Sequence, residues 1–397
     1  MKILVINAGS SSLKYQLIDM DNKVVMAKGL CDRIGIDGSK LEYKPMSGEK
    51  VSTLVEMKNH SDAIKLVLDA LVAPGTGVIA SMDEIGAVGH RVVHGGENFS
   101  ESVVITPEVK ASIEACSELA PLHNPANIIG IEACEKAMPN VPNVAVFDTA
   151  FHQTMPATAY MYALPYEYYE TYKIRRYGFH GTSHKYVSGK AAELAGKKFN
   201  EMKIITCHLG NGSSVAAIEN GKVVDTSMGF TPLAGLPMGT RCGDIDPAIV
   251  TYLIDKLGVS AKELDTIMNK KSGMLGVSCH SNDYRDLAAG SEAGNEKCTL
   301  AFDMFLYSLK KIVGSYIAAI NGVDAIVFTG GVGENNGWVR NQVMKNFTYM
   351  GVKMDDASNA LPASERIVSA ADSSVQVMVI PTDEEMMIAI DTQNLVK

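Results

Sequence analysis

The sequence predicts an α/β fold built on a duplicated unit. Short, near-continuous apolar runs alternate with stretches of helical periodicity, the pattern of strands buried on both faces between helices. Several helix starts are marked by a capping residue followed by proline. A strand–turn–strand pattern that begins at Ile3 returns at Ile204.

The first copy opens on Ile3-Leu4-Val5-Ile6, a short buried strand. It breaks at Asn7-Ala8-Gly9-Ser10-Ser11-Ser12 and resumes as a second strand headed by Leu13-Lys14-Tyr15. A turn of small residues lets backbone N–H groups and hydroxyls approach an anion closely, and a neighbouring lysine adds charge. That is how proteins hold nucleotide phosphates. The second copy reads Ile204-Ile205-Thr206-Cys207-His208-Leu209, then Gly210-Asn211-Gly212-Ser213-Ser214. Each copy runs on to a turn-like tip, Met20-Asp21-Asn22-Lys23 or Glu219-Asn220-Gly221-Lys222, followed by Val-Val. A single Gly/Ser hairpin is ordinary in any β-rich protein. Repetition of its whole context points to a duplicated domain with a nucleotide between the copies.

Further along, Asn143–Asp148, Asp324–Gly330 and Val375–Ile380 read as fully buried strands of a parallel sheet. Thr106-Pro107, Asn124-Pro125 and Asp246-Pro247 each place a capping residue before a proline at a helix start. Ser260–Glu263 is a capping box, and Thr382–Glu385 resembles another. Phe302, Phe305, Leu306, Leu309, Val313, Tyr316, Ile317 and Ile320 recur at helical spacing in one long helix over 298–320, closed by Asn321-Gly322. No Pro/Ser-rich linker divides the halves, and the first domain ends near Ala150.

Composition narrows the function. A chain of 397 residues, 46% hydrophobic and 20% charged, can bury the cores of two or three domains. A net charge of −9 lacks the basic footprint of a nucleic-acid binder. Seven scattered cysteines show no C-x-x-C spacing, so neither a zinc site nor a disulfide framework is indicated, and they suit a reducing compartment. No segment has the apolar length of a signal peptide or a membrane span. The expectation is a cytoplasmic protein with no nucleic-acid or membrane partner.

Five further clusters join charged residues or histidine to glycine beside an apolar strand or a helix start. In His90-Arg91-Val92-Val93-His94-Gly95-Gly96, the guanidinium can grip a carboxylate or phosphate bidentately. Asp148 stands at the carboxyl end of a buried strand, where ligands of open α/β sheets lie; read alone it serves equally as a helix cap. Arg175–His184 places His180 among cations and hydroxyls. Gly235–Asp244 surrounds Arg241 with glycine. Thr329–Asn336 sets three glycines between a strand and a helix, where a base or phosphate can approach. Its spacing is not G-x-G-x-x-G, and the chain has no G-x-x-x-x-G-K-[ST].

Taken in order, these segments resemble the acetate kinase family, of the acetate and sugar kinase/heat-shock protein 70/actin superfamily. Asn7–Lys14 matches the N-x-G-S-S-S-x-K signature, and His208–Ser214 matches the second family signature. H-R-V-V-H-G-G, F-D-T-A-F-H, Y-G-F-H-G-T-S-H and G-T-R-C-G-D also match. The resemblance runs from Lys2 to about Glu385 and departs at no motif position.

The resemblance implies two duplicated actin-like, ribonuclease H-like domains facing a nucleotide cleft. Residues 1–150 form one domain, with the helix 384–397 packing back on it, and 151–383 form the nucleotide-binding domain. It implies a homodimer and reversible phosphoryl transfer from ATP to acetate, giving acetyl phosphate and ADP, with Mg2+ or Mn2+ as cofactor. Asn7 and Glu384 would sit near the metal, though Glu384 alone reads as an ordinary acid of a first helical turn. Lys14, His208, Leu209, Gly210, Asn211 and Gly212 would bind ATP, as would Asp283, Tyr284 and Arg285. Gly331, Val332, Gly333, Glu334 and Asn335 would complete that set. Arg91 would bind the substrate carboxylate, and Val93, Leu122, Phe179 and Pro232 would hold its methyl group. Asp148 would be the catalytic acid, and His180 and Arg241 would stabilise the transferring phosphoryl group; His123 is a lesser candidate near the phosphate.

Chemistry modifies one of these roles. Acetate is ionised near neutral pH, so the nucleophile needs no base, and the obstacle is repulsion between an anion and a polyanion. Positioning and charge neutralisation by Arg91, His180, Arg241 and the metal answer it. Asp148 is then expected to orient metal, water or an arginine rather than to move a proton. Domain closure would exclude water. The neighbouring expectation is a propionate or other short-chain acyl kinase, which one methylene separates by only about 1–3 kcal/mol; Val93 favours acetate. A non-catalytic ATP switch would leave Arg91, His180 and Arg241 without a purpose.

Overall fold

The computed structural model describes all 397 residues, Met1–Lys397. The chain divides into two units, Met1–Gln153 with Asp383–Lys397, and Thr154–Thr382.

The first unit is organised on eight strands. These are β1 (Lys2–Ala8), β2 (Ser12–Asp19), β3 (Val24–Asp32), β4 (Lys40–Pro45), β5 (Val51–Leu54), β6 (Ile85–Val92), β7 (Val103–Val104) and β8 (Asn143–Phe147). They form one sheet in the order β5-β4-β3-β2-β1-β6-β8-β7. The turn at Gly9–Ser11 folds β2 antiparallel onto β1, with register from Lys2↔Asp19 to Ala8↔Leu13. β1 and β6 run parallel, as do β6 and β8.

The second unit repeats the plan. Its strands are β9 (Lys203–Leu209), β10 (Ser213–Glu219), β11 (Lys222–Thr226), β12 (Ala325–Thr329), β13 (Arg366–Ile367) and β14 (Gln376–Val379). Their order is β11-β10-β9-β12-β14-β13, with β9 and β12 parallel and β12 and β14 parallel. The run β3-β2-β1-β6-β8 is therefore the same arrangement as β11-β10-β9-β12-β14. This is the duplication that the repeated hairpin announces.

Both faces of each sheet's parallel part are covered, which explains its continuous apolar strands. β8 and β12 are buried at every position. In the first unit Leu4, Ile6 and Val88 pack with Val67, Ala133 and Cys134 of the helices His60–Val72 and Asn124–Ala137. On the other face the helix Glu384–Val396 lies against β6 so closely that a Cβ at Gly89 would stand 2.4 Å from Thr392 Oγ1. In the second unit the long helix runs from Glu296 to Ala319, capped by Asn295. It buries Phe302, Phe305, Leu309 and Val313 in a core shared with Ile205, Val215 and Phe328. Asn321 and Gly322 end it with positive φ of 53° and 105°.

Two caps differ from the expectation. Asn124 is inside its helix, and its side chain is turned into the core: its Oδ1 accepts from the His94 N–H and its Nδ2 donates to the His94 carbonyl. A buried polar strand end outcompetes the cap for that amide. At the last helix the cap is Asp383, whose Oδ1 accepts from the Met386 N–H. Thr382 instead shares a hydrogen bond with Ser183 Oγ at 2.8 Å.

Two measurements follow from this packing. Gly89→Ala drives a methyl into Ile388 and Thr392 and is expected to lower stability by about 1–3 kcal/mol. Gly189→Ala, in the helix Gly181–Ala195 with open space at its Cβ, raises it by about 0.5–1 kcal/mol. Urea midpoints of both variants check the pair. The second measurement concerns pH. His90 is buried with Nε2 2.7 Å from Asn143 Oδ1, and burial pushes its pKa down to about 4. It folds neutral and charges near 6.5 when unfolded. Its contribution is whole above that value and is lost as pH falls toward 4. Between those limits wild type should lose on the order of 2–3 kcal/mol more than His90→Gln, and parallel pH–stability curves would remove His90 from the account.

Candidate active site

The parallel strands of the first unit deliver one charged cluster. Asn7 lies near the end of β1, Arg91 near the end of β6, and Asp148 just past β8. Their carboxyl ends lie on one edge, as the parallel pairings require. Lys14 of β2 is register partner to Asn7 and points to solvent. Arg91 Nη2 is 2.5 Å from Asp148 Oδ2, and Nη1 reaches Asn7 Oδ1 at 3.4 Å. Asp148 is almost wholly buried, and its backbone N–H is held by the Val92 carbonyl.

Electrostatics ties Glu384 to the same cluster. Burial pushes its carboxyl up to about 7, and the neighbouring charge of Asp148 adds to the rise, against Arg91. Burial alone would lower the Arg91 guanidinium; Asp148 and Glu384 outweigh it and hold the charge on. The cluster is thus short of positive charge. No three His, Cys, Asp or Glu side chains gather closely enough to hold a metal by themselves. Asn7 Oδ1 with one carboxylate instead suits a cation such as Mg2+, which keeps most of its ligands as water and phosphate.

Two buried amides hold the strand end in place. Asn127 Oδ1 accepts from the Val93 N–H at 3.1 Å, and its Nδ2 donates to the Ala8 carbonyl at 2.7 Å. Asn124 does the same for His94. Sequence reasoning missed both, although N-P-A-N puts two amides at i and i+3 on one face of a helix. Val93 is buried, Leu122 is 73% exposed, and His123 precedes that helix in an exposed turn.

In the second unit His180 occupies the left-handed region with φ 57° at the head of the helix Gly181–Ala195. A non-glycine residue held there marks a constrained position. Gly212 stands between two of the singled-out side chains: its Cβ would lie 3.4 Å from Arg241 Nη1 and 3.6 Å from His180 Nε2. Arg241 Nη1 donates to the Pro232 carbonyl at 3.2 Å. His180 and His208 stack with ring centres 4.3 Å apart. Phe179 is buried and Pro232 half-buried.

Beside them opens a cavity of about 690 Å³, lined by Gly210, Asn211, Asp283, Tyr284, Arg285, Gly331, Val332 and Asn335, with Asn282, Ala288 and Asn336. That volume is what a nucleotide-sized ligand takes. Gly330 has φ 75°, and a Cβ there would lie 2.7 Å from the Leu209 carbonyl, so only glycine lets the loop lie against β9. Leu209 is core. Glu334 serves its own loop, its Oε1 accepting from the Gly330 and Thr382 N–H groups. Asp283 caps the helix Tyr284–Glu292 and pairs with Arg285 at 2.6 Å, which holds its carboxyl down at about 2. The tyrosine ring packs on Phe302 and Phe305.

Comparison with known proteins gives the family. The sequence model of the acetokinase family matches residues 2–390. The chain is 57% identical to acetate kinase 2 of Clostridium perfringens over 396 residues, covering 100% of both chains. It is 59% identical to the acetate kinase of Thermoanaerobacterium thermosaccharolyticum over 398 residues, covering 100% of this chain and 99% of the other. The crystal structure of Porphyromonas gingivalis acetate kinase superposes with a TM-score of 0.97 at 50% identity over 100% of both chains. A propionate kinase from Francisella tularensis superposes with a TM-score of 0.91 at 43% identity over 99% of both. Matched along its whole length in sequence and in fold, the chain belongs to the acetokinase family.

Proposed function

We propose that this protein transfers the terminal phosphoryl group of ATP to acetate, reversibly, giving acetyl phosphate and ADP. The observation that carries the reading is Arg91. Asp148 fixes one side of its guanidinium, and Nη1 has only the long contact to Asn7. That leaves a cationic N–H edge for a carboxylate at the carboxyl ends of the parallel strands. Full-length identity of 57–59% to proteins named acetate kinase supports the same substrate.

Arg91 orients the acetate oxygen that attacks. Asp148 keeps the guanidinium charged and aimed, and no proton has to leave the nucleophile. Arg241 and His180 present N–H groups to the transferring phosphoryl group, where charge builds as the bond to ADP breaks. The 690 Å³ cavity takes the nucleoside end of ATP. Asn7 and Glu384 would hold Mg2+, which when bound neutralises phosphate charge. Val93 lines the methyl group, and its branched side chain is stiff at χ1, which favours acetate over propionate.

A coupled assay tests the reading. ATP and acetate should turn over faster than ATP and propionate, with divalent metal required. Arg91→Ala and Arg241→Ala should each lose on the order of 10²-fold or more in kcat/KM. Near-normal turnover by both, or a preference for propionate, would overturn it.

A second copy of this chain is the partner. The helix Ala248–Leu257 buries none of its residues, and Ile249, Tyr252 and Leu257 are 41%, 60% and 56% exposed. Such an apolar stripe marks an interface. Sedimentation should give a dimer that Ile249→Asp with Tyr252→Glu dissociates; a monomeric wild type would contradict it.

A further inference from the structure

The buried polar groups behind His180 form a chain that the reaction as described does not use. His180 Nδ1 lies 2.9 Å from Ser214 Oγ. The same hydroxyl lies 2.7 Å from His184 Nε2. His184 Nδ1 in turn lies 2.6 Å from Thr206 Oγ1. Ser214, His184 and Thr206 are each 0% exposed, so their hydrogen bonds are made within the protein rather than to bulk water.

The far end of the chain decides its direction. Thr206 Oγ1 makes no hydrogen bond except that to His184 Nδ1. A buried hydroxyl carries one proton and must donate it, or forfeit about 1–3 kcal/mol. So the Thr206 O–H donates to His184 Nδ1, which is therefore unprotonated. Neutral His184 then carries its proton on Nε2 and donates to Ser214 Oγ. The single Ser214 proton is left for His180 Nδ1. An imidazolium at His184 would donate at both ends and leave the Thr206 proton without an acceptor. The opposite direction fails for the same reason.

We propose that Thr206, His184 and Ser214 are positioning residues that lock His180 as the neutral tautomer protonated on Nε2. His180 Nε2 is the nitrogen beside Gly212 and Arg241. It then meets the phosphoryl group as a fixed hydrogen-bond donor, and the formal charge at that point comes from Arg241. A neutral donor at a phosphoryl group also cannot give up its proton to ATP in the ground state, so its strength is reserved for the charge that develops on transfer. His184, read in the sequence only as the end of the segment Arg175–His184 that surrounds His180 with cations and hydroxyls, and Thr206, read only as a strand residue, acquire a shared task.

This proposal rests on the reading that His180 faces the phosphoryl group, and the experiment separates the two. ¹⁵N-histidine is incorporated into the intact protein, and the His180 resonance is identified by its loss in His180→Asn. The expected result is an unprotonated Nδ1 and a protonated Nε2 that do not titrate between pH 6 and 8, the range around an ordinary histidine pKa. Thr206→Val, which keeps the shape and deletes the donor, should mix the tautomers and lower kcat several-fold with little change in KM for ATP. Thr206→Ser should restore both. A His180 proton on Nδ1, an imidazolium in that range, or Thr206→Val with wild-type tautomer and kcat would overturn the proposal. Loss of activity on replacing His180 itself tests the other reading, and the tautomer spectrum does not depend on it.

Discussion

The charged cluster at the strand ends of the first unit depends on one ion pair, Arg91 with Asp148 at 2.5 Å. Neither charge would be stable alone at that depth. Breaking a buried pair by removing one partner costs about 3–5 kcal/mol, because the survivor is stranded. The pair exists because β6 and β8 are parallel neighbours in register, Arg91 opposite Val146 and Val92 opposite Phe147. Asp148, one residue further on, is carried to the guanidinium by that register. Asn127 and Asn124 then hold the backbone at Val93 and His94, so the guanidinium has a fixed base. Glu384 stands in the last helix of the same unit, where burial and the charge of Asp148 push its carboxyl up.

The cluster of the second unit follows a parallel logic with different chemistry. The β9–β10 turn occupies the place in the second unit that the Gly9–Ser11 turn holds in the first. Here the cations and donors are grouped around a bare glycine, Gly212, rather than around a carboxylate. Nothing acidic neutralises Arg241, whose guanidinium is lowered by burial alone. An arginine left short of counter-charge is one that gains from meeting a phosphoryl group.

Much of this was legible in the sequence, because the informative signals are local. The repeated strand–turn–strand pattern, the apolar runs of β8 and β12, and the span of the long helix all depend on neighbours within a few residues. What was illegible depends on partners far along the chain. Asn124 read as a helix cap, yet its amide serves a strand end thirty residues earlier. Thr382 read as the start of a capping box, yet Asp383 takes that role while Thr382 bonds Ser183. Thr206, one of several polar letters in a strand, matters only because β9 sets it beside His184. Tertiary pairing decides which polar side chains are buried, and single-sequence patterns carry no record of it.

The central claim is that Asp148 acts through Arg91 rather than on the substrate. A double-mutant cycle in kcat/KM for acetate, with Arg91→Ala, Asp148→Asn and the pair, tests it most directly. The account predicts strong non-additivity, with Asp148→Asn costing almost nothing further once Arg91 is gone. Losses that simply add would show Asp148 working on the reacting groups independently, and would contradict the account.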